Sequence, residues 1–337
     1  MKIGFDSVPE ALPGTYCGRL VEILSEYAPE HEYVVGGEPD DEADVYHSSA
    51  SPLAQGVRLR GARRVVTVRD LNFLRYPRMY TFFDRMVRLR LYRRSCRSAA
   101  CVIALSRGAK EELAERLGID PRKIEVLLPL GVHPPAAPAG EAECEAVRRK
   151  YGLPGRYVLA VGVPEVRLRL VEIFDAVRDS DAGCALVVCG RRTGYSDFLS
   201  EYARATGGAG RIEFVYESAP ADLPALMRMA EAYVSMSDPE VGTSLRPLVE
   251  AMRSGVPAVL SDTPLHRETA ADAAVYAASG DEAALCGALR SVLCDKEFRA
   301  CLAGRGRVRS EIFSERAVAR RLSEIYGSLQ ACPERPE

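Results

Sequence analysis

No run of 18 or more apolar residues occurs in the 337-residue chain, so nothing in it reads as a membrane-spanning helix. The opening MKIGFDSVPE holds one lysine, then a short strand-like run with Asp6 inside it. It lacks the long apolar stretch of a secretory leader, and a cytoplasmic protein is expected, with a peripheral place at the inner membrane face as the variant. No two of the ten cysteines (17, 96, 101, 144, 184, 189, 286, 294, 301 and 332) have CxxC spacing, and the four histidines form no zinc pattern. Cysteines inside apolar runs, as in CVIAL and CALVVCG, read as small hydrophobes of a reducing compartment. Strong net charge is also missing: 45 basic against 47 acidic residues leave −2, which excludes a broad field drawing nucleic acid.

What is present is ordinary globular composition, 47% hydrophobic and 27% charged, at a length suited to two cores. Short strands are predicted at 2–6, 32–35, 45–47, 64–68, 101–105 and 124–128. Apolar residues Leu20, Ile23, Leu24 and Tyr27 fall at helical spacing over 16–27. Ser106 is placed to cap a helix that Gly118 ends, since glycine tolerates the left-handed conformation. Strands alternating with helices predict a parallel sheet covered on both faces.

The stretch VHPPAAPAGEAECEA interrupts this series and is read as a linker at 136–150. A second series follows, with strands at 157–161, 184–188, 212–215, 232–235, 258–260 and 274–276. Its helices are expected at 167–179, 195–205, 222–230, 245–254, 282–293 and 296–305. The fold class is therefore α/β, with two doubly wound domains, 1–135 and 151–312. In such sheets ligands bind beyond the carboxyl ends of the strands.

In order along the chain stand MKIGFDS (1–7), YCGRLVEIL (16–24), VYHSSASP (45–52), VVTVRDLNFLRYP (65–77), ACVIALSRGAKEEL (100–113) and VLLPLGV (126–132). The second half adds VLAVGVPEVRLRLVEIFDAV (158–177), CALVVCGRR (184–192), ADLPALMRMAEAYVSMSDPE (221–240), RPLVEAMRSGVPAVLSD (246–262) and RETAADAAVY (267–276). These blocks resemble glycosyltransferase family 4, over nearly the whole chain. The resemblance implies a GT-B fold, two Rossmann-like domains facing across a cleft. It also implies retaining transfer of a sugar from a nucleotide-sugar donor (UDP- or GDP-sugar) bound by the C-terminal domain. The acceptor, a glycan, lipid or small molecule, is expected on the N-terminal domain. The final helical stretch, about 313–330, is expected to cross back to that domain. No cofactor is expected to be permanently bound, and no divalent-ion site is suggested, since basic side chains can neutralise the leaving diphosphate.

The resemblance assigns roles residue by residue. Glu250, in LVEAM, is the counterpart of the glutamate that accepts hydrogen bonds from the donor ribose; a first-turn acid favoured by the helix dipole is the plain alternative. Glu240, in SDPE, matches an earlier glutamate near the donor sugar, but lies ten positions before Glu250 instead of eight, where Gly242 stands. Arg167 matches a diphosphate-contacting arginine. Leu168 replaces the lysine expected beside it, and Arg169, one residue on, is either its substitute or a solvated helix residue. Losing such a cation removes about 2–4 kcal/mol of transition-state stabilisation unless another group replaces it. Arg69 stands where relatives have an active-site histidine and cannot act as a base, but it can bind phosphate or an acidic acceptor. Asp70 follows as a catalytic residue, a helix cap or a partner for Arg69. Tyr16, Cys17, Gly18 and Arg19 occupy the family's glycine-rich loop, of which only Gly18 is kept. Gly162 falls at a strand end. His47 ends a strand and faces either the cleft or the interior, whereas His266 is expected at the surface.

Between Arg75 and Arg97 stand eight arginines and one acid. Within 84–97 their spacing suits an amphipathic basic helix that meets an anionic membrane or a partner protein, or is simply solvated. A nucleic-acid role has no recognisable motif behind it. Two functions remain: an active transferase, and a degenerate relative that binds a nucleotide sugar or stabilises a partner enzyme. The changes at 69, 168 and 242 motivate the second.

Overall fold

The computed structural model describes residues 1–6, 16–35, 43–49, 63–69, 71–75, 77, 80–127, 139–237 and 245–330. The chain divides into two compact units, Met1–Pro134 with Ile312–Glu337, and Pro135–Glu311.

In the first unit the elements run β1 (Lys2–Phe5), α1 (Tyr16–Tyr27), β2 (Glu32–Val35), β3 (Val45–Ser48), β4 (Arg63–Val68), α2 (Asn72–Arg75), α3 (Phe82–Ser98), β5 (Cys101–Ala104), α4 (Arg107–Leu117) and β6 (Ile124–Val126). The strands form one parallel sheet in the order β2-β1-β3-β4-β5-β6. Buried on both faces, β5 must be apolar throughout, which explains the run CVIA. Ser106 caps α4 by accepting from the Ala109 amide at 3.0 Å, and Gly118 ends it at φ 64°.

The second unit runs α5 (Glu141–Tyr151), β7 (Tyr157–Val161), α6 (Leu170–Asp179), β8 (Ala185–Gly190), α7 (Gly194–Ala205), β9 (Ile212–Tyr216), α8 (Leu223–Arg228), β10 (Ala232–Ser235), α9 (Arg246–Ser254), β11 (Ala258–Ser261), α10 (Pro264–Ala270), β12 (Ala274–Ala277), α11 (Glu282–Cys294) and α12 (Lys296–Ser310). Its parallel sheet has the order β12-β11-β10-β7-β8-β9. Counted from β7, this is the dinucleotide-fold order 3-2-1-4-5-6 read from its other edge. The α/β class with two doubly wound sheets is thus the architecture.

The chain then returns to the first unit as α13 (Glu315–Gln330). Val318, Ala319, Leu322, Ile325 and Tyr326 share one buried cluster with Leu20, Ile23 and Leu24 of α1 and with Ile3 and Phe5 of β1. Burying such a side chain fully contributes roughly 1.5–3 kcal/mol, so this face suffices to fix α13. Arg19 of α1 adds an ion pair to Glu315.

Three local expectations change. Residues 141–150, read as the end of a linker, belong to α5, because proline stops at 138 and acids in the first turn with bases in the last suit the helix dipole. The helix expected from 167 begins at Leu170, after a 3-10 turn over Val166–Leu168. His266, expected at the surface, is buried on α10, a helix that Thr263 caps by accepting from the His266 amide at 3.3 Å.

Candidate functional site

In the second sheet the chain order reverses between β7 and β10, the place where open α/β sheets form a ligand crevice beyond the strand ends. Gly162 follows β7 at φ 149°, a conformation side-chain-bearing residues rarely adopt. Its carbonyl oxygen lies only 2.0 Å from where a Cβ on Gly190 would stand, so β8 must end in glycine. The Gly162 amide donates to the Cys189 carbonyl at 2.9 Å, closing the two strand ends together.

Beyond Gly162, the 3-10 turn presents Arg167 and Arg169 at the surface, 40% and 39% exposed. Arg167 pairs with Glu165 at 2.8 Å, and Arg169 with Glu172 at 2.7 Å. Leu168 points the other way: it is buried in the unit's core and would lie 3.2 Å from a Cβ on Gly162. A lysine there would be desolvated, so the family's cation has no room at this position. Arg169 holds φ 52°, a left-handed conformation costing on the order of 1 kcal/mol in a non-glycine residue.

On the other side of the reversal, β10 leads into Ser237, and α9 begins at Arg246. Glu250 lies one turn into α9 with its carboxylate 13% exposed, 3.2 Å from the Arg253 guanidinium. Burial raises its pKa, and Arg253 and Arg246 pull it partly back. Burial likewise lowers the Arg246 pKa against the pull of Glu250. Arg246 was missed in the sequence, although its four-residue offset from Glu250 places both on one helix face. Also unforeseen is a buried chain from His266. Its Nδ1 reaches both the carbonyl (3.1 Å) and the hydroxyl (2.9 Å) of Ser261, and that hydroxyl donates to the Ser237 carbonyl at 2.7 Å. A carbonyl can only accept, so Nδ1 carries the proton. Glu240 lies outside the described residues, as does Gly242.

In the first unit Arg69 follows β4 and is exposed; its guanidinium carbon sits 5.1 Å from the centre of the Tyr16 ring. Tyr16, Cys17, Gly18 and Arg19, which the apolar spacing places in a helix and the family resemblance in a glycine-rich loop, lie in α1, and Gly18 is buried there. Packing of Cys17 and Leu20 against β1 continues the helix back to Tyr16 and leaves no open glycine loop at these positions. Asp70 lies outside the described residues. His47 is fully buried, with Nδ1 2.7 Å from the Tyr326 hydroxyl and Nε2 2.7 Å from that of Thr67, so it faces the interior.

On α3, Phe82 and Phe83 are 78% and 67% exposed. Phe83, Arg90, Arg94 and Arg97 fall on one face, opposite the buried Tyr92 and Cys96. Arg90 and Arg94 make no hydrogen bond or ion pair among the described residues. Among those residues no group of three or more His, Cys, Asp or Glu is placed to hold a metal, and no helix is long and apolar enough to cross a membrane.

The family pattern described as "Glycosyl transferases group 1" matches residues 150–309, and that of "Glycosyltransferase Family 4" matches 38–133. The O-antigen chain mannosyltransferase B of Escherichia coli is 27% identical over 258 residues, 75% of this chain and 67% of that protein. The O-antigen chain mannosyltransferase RfbU of Salmonella typhimurium is 25% identical over 230 residues, 68% of this chain and 60% of that protein. Among solved structures, Anabaena Alr3699/HepE in complex with UDP superposes with a TM-score of 0.75 at 16% identity, covering 97% of this chain and all of that one. WaaG, a glycosyltransferase involved in lipopolysaccharide biosynthesis, gives 0.64 at 15% identity, covering 97% of this chain and 99% of that one. The fold is therefore that of the GT-B glycosyltransferases. With the two patterns lying in sequence, one on each unit, the chain belongs to glycosyltransferase family 4.

Proposed function

We propose that this glycosyltransferase moves a hexosyl group, with retention, from a nucleotide-sugar donor to a glycan of the cell surface. The observation that carries the donor side is Glu250: a largely buried carboxylate on α9, beside Arg246, at the strand-order reversal of a dinucleotide-type sheet. A buried, acceptor-rich group with no aliphatic function suits a pair of ribose hydroxyls. Gly162 and Gly190 keep the neighbouring strand ends free of side chains, so backbone can approach a diphosphate closely. Arg167 and Arg169 supply positive charge as that diphosphate departs, each exchanging its present glutamate for phosphate. Glu240 and Asp70 are proposed to act at the reacting sugar, and Arg69 at the acceptor. HepE was solved with UDP and with UDP-glucose, and the two sequence relatives are named as mannosyltransferases of O-antigen chains. These support a nucleoside-diphosphate donor and a polysaccharide acceptor.

Calorimetric titration with UDP, GDP, UDP-glucose and GDP-mannose tests the reading. One nucleotide is expected to bind at micromolar concentration, about tenfold to a hundredfold more weakly in Glu250→Ala and Arg167→Ala. No binding by the folded protein would refute it. Retention is checked separately from the anomeric coupling constant of the product.

The exposed face of α3 is the proposed place for an anionic membrane surface, where the acceptor of a surface-glycan enzyme would be found. Arginines contribute about 1 kcal/mol each near such a surface.

A further inference from the structure

In the second sheet β10 and β11 run side by side, and the last rung of their ladder pairs Ser235 with Leu260. Beyond that rung the amides of the chain leaving β11 turn away from β10. Asp262 donates to the Ala277 carbonyl of β12 at 2.9 Å, and Thr263 donates back to the Ser261 carbonyl at 2.9 Å. The Ser237 carbonyl, two residues past the end of β10, is taken instead by a side chain, the Ser261 hydroxyl, at 2.7 Å. That hydroxyl has one orientation. It accepts from His266 Nδ1 at 2.9 Å, so its own proton points at Ser237. His266 Nδ1 also reaches the Ser261 carbonyl at 3.1 Å. The Ser237 and Ser235 hydroxyls lie 3.0 Å apart.

Ser237, Ser261 and His266 are 1%, 0% and 2% exposed. Apolar side chains would fill such a volume without needing matched donors and acceptors, whereas a satisfied polar chain rigidifies one geometry. Its place gives that rigidity a use. Ser235 ends β10 and Ser261 ends β11, so the whole chain lies at the carboxyl ends of the strands, where open α/β sheets bind ligands. β10 is also one of the two strands at the order reversal. A side-chain bond to Ser237 extends control over the path of β10 two residues beyond its backbone ladder. Three residues after Ser237 the sequence has Glu240, proposed above to act at the reacting sugar.

We propose that His266 is a positioning residue for the sugar end of the donor: through the Ser261 hydroxyl it fixes the direction in which the chain leaves β10 toward Glu240. The inference rests on the transferase reading above and deepens it. It separates Glu250 and Arg167, which serve the nucleotide, from a buried relay that serves the sugar. His266 acts through Ser261 and not by contact with the donor.

The test uses the full chain, titrated by calorimetry with the nucleoside diphosphate it binds and with the matching nucleotide sugar, UDP with UDP-glucose or GDP with GDP-mannose. His266→Leu keeps an apolar body in the space and removes the Nδ1 donor. It should bind the nucleotide within twofold of wild type and the nucleotide sugar about threefold to tenfold more weakly. His266→Asn, whose amide puts an N–H near the place of Nδ1, should recover most of that loss. Ser261→Ala removes a single oxygen and should reproduce the His266→Leu effect, with the double variant no weaker than either single one, because both cut the same chain. If circular dichroism shows His266→Leu unfolded, Ser261→Ala decides the matter. Equal weakening of nucleotide and nucleotide sugar, an unchanged nucleotide-sugar affinity in Ser261→Ala, or a folded His266→Asn no better than His266→Leu would each overturn the proposal. Failure of the wild type to bind any nucleotide is a different result, which removes the transferase reading and this inference with it.

Discussion

His47 offers a direct measurement of how α13 is held to the first sheet. Its ring is fully buried between the Tyr326 hydroxyl of α13 and the Thr67 hydroxyl of β4, both at 2.7 Å. A neutral imidazole needs one donor and one acceptor, and two hydroxyls can supply either. Protonation would place a charge in an interior where the ring's hydrogen-bond partners are two neutral hydroxyls, and burial lowers the pKa from 6.5 to about 3. The native state therefore takes up this proton only near pH 3, whereas the unfolded chain takes it up as pH falls through 6.5. Stability from His47 is complete above 6.5 and declines by up to about 1.4 kcal/mol per pH unit below it. Between pH 7.5 and 5.0 the loss comes to about 2 kcal/mol, a large share of the 5–15 kcal/mol typical of a domain. His47→Gln removes this titration and leaves every other group in place. Urea unfolding followed by circular dichroism should show wild type losing about 2 kcal/mol more than the variant over that interval. The carbon resonances of labelled histidine should include a ring, absent from His47→Gln, that stays neutral to below pH 4. Parallel pH dependences in the two proteins, or four rings all titrating near 6.5, would refute the reasoning.

Gly190→Ala forces a Cβ to 2.0 Å from the Gly162 carbonyl and should destabilise the second unit by about 3 kcal/mol. Gly194→Ala, in the first turn of α7 with nothing within 4 Å, should leave its melting temperature level or slightly higher, and calorimetry compares the two. Sedimentation with vesicles tests α3: binding to phosphatidylglycerol-containing vesicles should fall about tenfold or more in Arg90→Glu/Arg94→Glu and in Phe82→Ser/Phe83→Ser, and vanish on pure phosphatidylcholine. Equal binding to neutral vesicles would contradict the charge argument. Leu168→Lys should not restore the family's cation; it should lower stability by several kcal/mol, because the new ammonium is buried without a partner. A stable variant with tighter nucleotide binding would show that the 3-10 turn can reverse its facing.

Much of the fold was legible because its signals are local. Strands buried on both faces must be apolar runs, as in CVIA and YVLAV, and helices must repeat near 3.6 residues, as Leu20, Ile23 and Leu24 do. Ser106 and Gly118 marked the ends of α4 through hydrogen bonding and backbone sterics that act within a few residues. The ordered blocks of residues carried the resemblance to the family. Tertiary structure decided the rest, because it depends on residues far apart in the chain. The sequence could not say that His47 would be enclosed by a tyrosine 279 positions away. Nor could it say that Leu168 would turn into the core while Arg167 and Arg169 turned out, or that the Gly162 carbonyl would exclude a side chain at Gly190. The position of Arg69 over Tyr16 belongs to the same class. Periodicity tells which side of an element is buried; only the assembled sheets fix what each buried or exposed group meets.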